Sequence, residues 1–113
     1  MVYRKSEANQ IVMGKEKIRV VIDPDLQDLI PGFLGNRGKD LGKMREALLA
    51  EDLEILRSIG HSLKGVGGGY GFHRISEIGA AIETSAKASD LDSITPQLDN
   101  LADYLERLEV VYE

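Results

Sequence analysis

Residues 61–72 read His61-Ser62-Leu63-Lys64-Gly65-Val66-Gly67-Gly68-Gly69-Tyr70-Gly71-Phe72. Upstream, Leu53, Leu56 and Ile59 recur at helical steps, and Leu63, Val66 and Tyr70 keep that step through the glycines. A helical glycine costs about 1 kcal/mol relative to alanine, so three in a row cost about 3 kcal/mol against a domain stability of about 5–15 kcal/mol. The sustained period favours a helix that continues through Gly67, Gly68 and Gly69. The alternative is that the glycines end the helix as a loop. At about 100° per residue, His61 points away from Ile59 and Leu63 and faces solvent. Arg57 lies one turn before it on the same face. Lys64 and Gly65 follow it, and Gly68 sits roughly two turns further along. The expected surface is an exposed imidazole with cations nearby and bare backbone beneath it, open to the active site of another protein.

Working outward, the rest of the chain divides into helical stripes. Asp23-Pro24 is a cap and first-turn pair. Leu26, Leu29, Ile30, Phe33, Arg37, Leu41, Met44 and Leu48 then form one stripe, which Pro31 should kink or divide near Ile30. A break at Ala50 and Glu51, with Asp52 as cap, precedes the histidine helix. Ile75, Ile78, Ile82 and Ala86 form a third stripe. Ser89, Asp90 and the residues from Ser93 to Pro96 carry loop and cap signals before a fourth, made of Ile94, Leu98, Leu101, Leu105, Leu108 and Tyr112. Short connections between four stripes predict an all-α, antiparallel four-helix bundle over residues 21–113. An additional N-terminal segment, residues 1–20, reads as a flexible or extended leader. Within and beside it, Ile18-Arg19-Val20-Val21-Ile22 is short and β-branched, and reads as an extended segment lying against the domain or as part of a small sheet for which no partner strand is visible.

Length and composition bound the function. With 113 residues there is room for one domain, and 42% apolar residues suffice for one core. The absence of cysteine removes disulfides and thiolate metal sites. A net charge of −5 with interspersed signs and no basic face argues against nucleic acid. No apolar run nears the roughly 18 residues of a membrane span, and no secretory h-region follows the polar first ten residues. A cytoplasmic protein is expected, with no metal, cofactor or membrane partner. No Walker-type or kinase-like nucleotide motif and no paired carboxylates suggest an enzyme.

A single exposed histidine is usually inert, so the company of His61 matters. Imidazole is a nucleophile with an ordinary pKa near 6.5. A phosphorylated ring nitrogen is a reactive phosphoramidate, suited to onward transfer. Lys64 can place an ammonium where phosphoryl charge develops, and glycines leave in-line approach unobstructed. The run His61-x-Leu63-Lys64-Gly65, followed by small residues and Gly71, resembles the signature of the histidine phosphotransfer (HPt) family. The resemblance extends over about residues 21–113. It includes Asp23-Pro24-Asp25-Leu26, Phe33-Leu34, the Asp52-Leu53 pair and the helix across residues 78–87. Val66 departs from the family's frequent Ser or Thr, and Gly67, Gly68 and Gly69 from its usual Ala and Ser.

The resemblance implies a phosphocarrier of two-component phosphorelays with no ATP-binding site of its own. It exchanges a phosphoryl group with a receiver-domain aspartate of a response regulator, which brings its own Mg²⁺, or with a histidine kinase. His61 would be phosphorylated, Lys64 the phosphate-stabilising cation and Gly65 the close-approach residue. Related domains orient the imidazole with a polar residue near Glu83 and dock through a basic one near Lys87. The ordinary reading of Glu83 and Lys87 is an i,i+4 ion pair of roughly 0.2–0.5 kcal/mol. Arg57 and Gly68 complete the supporting or docking candidates, with Arg74 weaker. His73 reads as helix-terminal and Tyr70 as core. Two other readings stay open, a non-phosphorylated adaptor bundle and the phosphoacceptor segment of a larger histidine kinase.

Overall fold

A computed structural model describes residues 16–113. It contains a strand β1 (Ile18–Ile22) and four helices: α1 (Ile30–Leu49), α2 (Leu53–Val66), α3 (His73–Lys87) and α4 (Leu91–Arg107). A second strand, β2 (Leu108–Tyr112), follows α4 directly. The expected leader lies mostly outside the described residues, and β1 spans the position where it was expected to end. No helix among the described residues is long and apolar enough to cross a membrane.

Local chemistry sets the helix limits. Pro31 sits in the first turn of α1, where its missing N–H costs nothing, so the stripe starts afresh there rather than kinking. Ahead of it, the Asp23 side chain caps a 3₁₀ turn, Pro24–Leu26, by accepting the Asp25 N–H. Asp52 caps α2 by accepting the Ile55 N–H, and Asp90 caps α4 through the Ser93 N–H. Glu51, at φ 54°, makes the sharp return between α1 and α2.

The helices close a ring in which α1 packs on α2, α2 on α3, α3 on α4 and α4 on α1. Inward stripes fill it: Met44 from α1, Leu56 and Leu63 from α2, Ile75, Ile78 and Ile82 from α3, and Ile94, Leu98 and Leu101 from α4 are fully buried. Phe33 stacks on Tyr70, with ring centroids 4.3 Å apart, and lies 5.5 Å from Phe72. The third stripe and the first half of the fourth therefore face the core as their periodicity predicts.

Two sequence expectations are corrected. The α-helix does not continue through Gly67, Gly68 and Gly69. It ends at Val66, a 3₁₀ turn covers Gly68–Tyr70, and Gly71 reverses the chain at φ 94°, a region that favours glycine. A 3₁₀ turn has a similar period, so Tyr70 still faces inward and the stripe gives no warning of the change. The fourth stripe likewise overran its helix. Leu108 is extended, at φ −61° and ψ 134°, and Leu108–Tyr112 pairs in parallel with Ile18–Ile22, Val20 opposite Val110. Leu108, Val110 and Tyr112 alternate inward against the core, and β-branched Val110 and Val111 suit the pleat. Here is the partner strand that β1 lacked. Leu105, Leu108 and Tyr112 are spaced to satisfy a helix, which concealed it.

The closest contact in the ring is between α2 and α3. A Cβ on Gly79 would lie 2.6 Å from the backbone N of Lys64 and from the Cβ of Leu63. One on Gly60 would lie 2.8 Å from the Glu83 N. These backbones approach as only glycine permits. By contrast, a Cβ on Gly35 or Gly42 of α1 would meet nothing within 4 Å. Gly79→Ala is expected to lower stability by about 1–3 kcal/mol through overpacking. Gly35→Ala is expected to raise it by up to about 1 kcal/mol through helix propensity. Urea unfolding of the two variants checks both signs.

Candidate functional site

His61 stands in the second half of α2 with its side chain 65% exposed, as its position opposite Leu63 requires. Its preceding neighbour is Gly60, and the close seam at Gly60 draws the α3 backbone at Glu83 toward the histidine. The consequence is a short bond across the seam: His61 Nδ1 lies 2.9 Å from Glu83 Oε2. The other carboxylate oxygen, Oε1, is 2.9 Å from the Lys64 Nζ. Lys87 Nζ approaches Oε2 at 3.6 Å from one turn further along α3. The Glu83 side chain is only 6% exposed and is the one buried charged residue among those described.

A carboxylate this far from water needs compensation, and three nitrogens supply it. The Lys64 hydrogen bond is the largest influence holding the Glu83 carboxyl down to about 2; burial opposes it, and His61 and Lys87 assist. An ionised carboxylate only accepts hydrogen bonds, so the His61 Nδ1 must carry the proton. In the neutral ring that leaves the Nε2 lone pair free. No hydrogen bond from the described residues engages Nε2. The arrangement is an exposed imidazole whose tautomer and orientation are imposed by a buried anion.

The remaining candidates fall into two groups. Arg57 is one turn N-terminal to His61 and forks onto Glu54, its Nε 3.2 Å from Oε1 and its Nη2 on Oε2. Gly65 presents open surface, with nothing within 4 Å of a Cβ built there. Gly68 does not lie beneath the ring along a continuing helix. Its N–H donates to the Ser76 Oγ at 2.7 Å, and a Cβ on it would sit 3.4 Å from His73 Nδ1, so it belongs to the seam with α3. His73 opens α3, as its position after the glycines suggests. No group of three or more potential metal ligands occurs among the described residues. Glu83 and Lys87 form the i,i+4 pair, but the same carboxylate also reaches His61 and Lys64, which spacing along α3 does not reveal. Local periodicity does not single out Gly60 and Gly79. Their signal was small residues on the inner faces of two neighbouring stripes.

In comparison with protein families, the Hpt domain family model matches residues 28–110. The chain belongs to the Hpt domain family. Neither the curated proteins nor the solved structures returned a match. Hpt domains are helical bundles that act as phosphocarriers, working with histidine kinases and receiver domains in phosphorelays. The four-helix ring agrees with a helical-bundle family, and the β1–β2 pair lies beside it.

The depressed Glu83 carboxyl has a definite pH signature. Its pairing stabilises the Hpt bundle fully above the ordinary value of 4.5, and that contribution is lost as pH falls from 4.5 toward about 2, because the unfolded chain binds the proton first. Wild type should therefore lose more stability than Glu83→Gln across this window. Urea midpoints of both proteins at pH 6 and pH 3 measure it.

Proposed function

We propose that this Hpt domain carries the phosphoryl group on Nε2 of His61 and exchanges it with a receiver-domain aspartate or a histidine kinase. The observation that carries the reading is the 2.9 Å bond between Nδ1 and the buried Glu83 carboxylate. It keeps the proton on Nδ1 and turns the nucleophilic lone pair of Nε2 outward.

The chemistry follows from that proton. Nε2 attacks the phosphorus of an aspartyl phosphate in line, the N–P bond forms, the P–O bond to the aspartate breaks, and the carboxylate leaves. No proton has to move. The ring becomes a phosphorylated imidazolium that keeps Nδ1–H, and the adjacent Glu83 anion offsets its positive charge. Reversal returns the group, so the direction is set by the partner. Lys64, held at the carboxylate, keeps an ammonium beside the ring. Gly65 leaves the surface next to His61 free of side chains, which suits close approach of a second active site. Lys87, with its side chain 61% exposed, offers a cation at the rim for docking. The aspartate and its Mg²⁺ belong to the receiver. A cytoplasmic setting, where receivers and kinase domains meet, accords with this reading.

A phosphorylated receiver domain mixed with this chain should transfer label to it as an acid-labile, alkali-stable phosphate. His61→Gln should abolish the label. Retention of label by that variant would overturn the assignment.

A further inference from the structure

Arg57 and Lys64 flank His61 along α2, one turn before it and one turn after. Their resting partners differ in kind. Lys64 is bound to Glu83, whose side chain is 6% exposed, and removing that cation would leave a buried carboxylate less compensated. Arg57 is bound to Glu54, whose side chain is 74% exposed. A carboxylate so exposed loses little when its ion pair opens, because water takes the place of the guanidinium.

Direction also separates the two cations. Side chains on a helix lean toward its N-terminus. The ring of His61 therefore lies over the turn that carries Arg57, whereas Lys64 leans back to the level of His61 and meets Glu83 there. Glu54 is the main influence holding the Arg57 guanidinium above its ordinary value, and Glu83 adds a smaller one, so Arg57 lies within Coulombic reach of the site. Its planar fork, now matched to two carboxylate oxygens, matches two phosphoryl oxygens equally well.

We propose that Arg57 is a second, mobile phosphoryl clamp of this site: it leaves Glu54 for the phosphoryl oxygens on His61 and joins the Lys64 ammonium that Glu83 holds beside the ring. Glu54 is then a resting-state holder that competes with the phosphoryl group for the same guanidinium. The proposal rests on the reading that His61 carries the phosphoryl group. It adds a residue and an exchange that the histidine, lysine and glutamate do not require.

Phosphoramidate tests this without any protein partner. Ammonia leaves as its P–N bond breaks, and the new P–N bond forms to Nε2 while the ring keeps its Nδ1 proton. Initial rates on the full chain are read by ³¹P NMR, and the Arg57 Nε–H signal is followed by ¹⁵N NMR. Arg57→Gln should slow phosphorylation about tenfold, less than the loss of a buried donor because the site is wet. Arg57→Lys should recover part of the rate, and Glu54→Gln should exceed wild type. Arg45→Ala, which removes a comparable surface pair with Asp99, should match wild type. In wild type the Arg57 Nε–H signal should shift on phosphorylation. Wild-type rates in Arg57→Gln, a fall in Glu54→Gln matching that of Arg57→Gln, or an unmoved Arg57 signal would each overturn the clamp while leaving His61 as the acceptor. Failure of wild type to be labelled, or label on His61→Gln, would overturn both readings.

Discussion

Glu83 is the constraint on which the site depends. Its carboxylate is held almost entirely out of water, and an anion there is tolerable only because His61, Lys64 and Lys87 converge on it. Each of those groups is in turn positioned by the anion. The imidazole has one tautomer because its neighbour can only accept, and Lys64 is drawn off the open surface toward α3. Charge and orientation at His61 are therefore two aspects of one buried ion.

That ion is where it is because two backbones touch. Gly60 and Gly79 let α2 and α3 approach within what would be a side-chain radius, and Glu83 comes to rest beside the residue that precedes His61. A methyl group at either glycine would widen the seam and lengthen the Nδ1 bond. The glycine run after Val66 has a different task. It lets the chain turn through a 3₁₀ segment into α3, and Gly71 leaves room for Ile22, whose Cδ1 would lie 2.7 Å from a Cβ there. Ile22 is the buried end of β1, so the β1–β2 pair anchors on the same turn that joins the histidine helix to its partner.

Much of the fold and part of the site were legible in the residues themselves. The caps at Asp52 and Asp90, the inward stripes of α2 and α3 and the outward position of His61 all follow from local spacing. The two departures from the expected helix limits share one cause. A 3₁₀ turn and a strand can both carry apolar residues at intervals that also suit an α-helix, as Tyr70 and Tyr112 do, so periodicity alone extended α2 and α4 too far. The glycines stand out in the sequence as a group, but their separate roles depend on what lies opposite each one. For Gly65 that is open space, for Gly68 it is Ser76 and His73, and for Gly79 it is the backbone of Lys64.

By itself, then, the sequence determined four amphipathic helices, their caps and an exposed histidine followed by a lysine and glycine. These are properties of residues within a few turns of one another, where helix geometry dictates which side chains share a face. Tertiary structure decided the rest. Glu83 meets His61 across 22 residues of chain, and β1, ahead of the first helix, finds β2, after the last. Neither partner leaves a trace in the other's local pattern, because each is selected by the packing of whole elements. The glycine seam between α2 and α3 sets that packing for the histidine, and so converts an exposed imidazole into one with a defined proton, a defined orientation and a buried counter-charge.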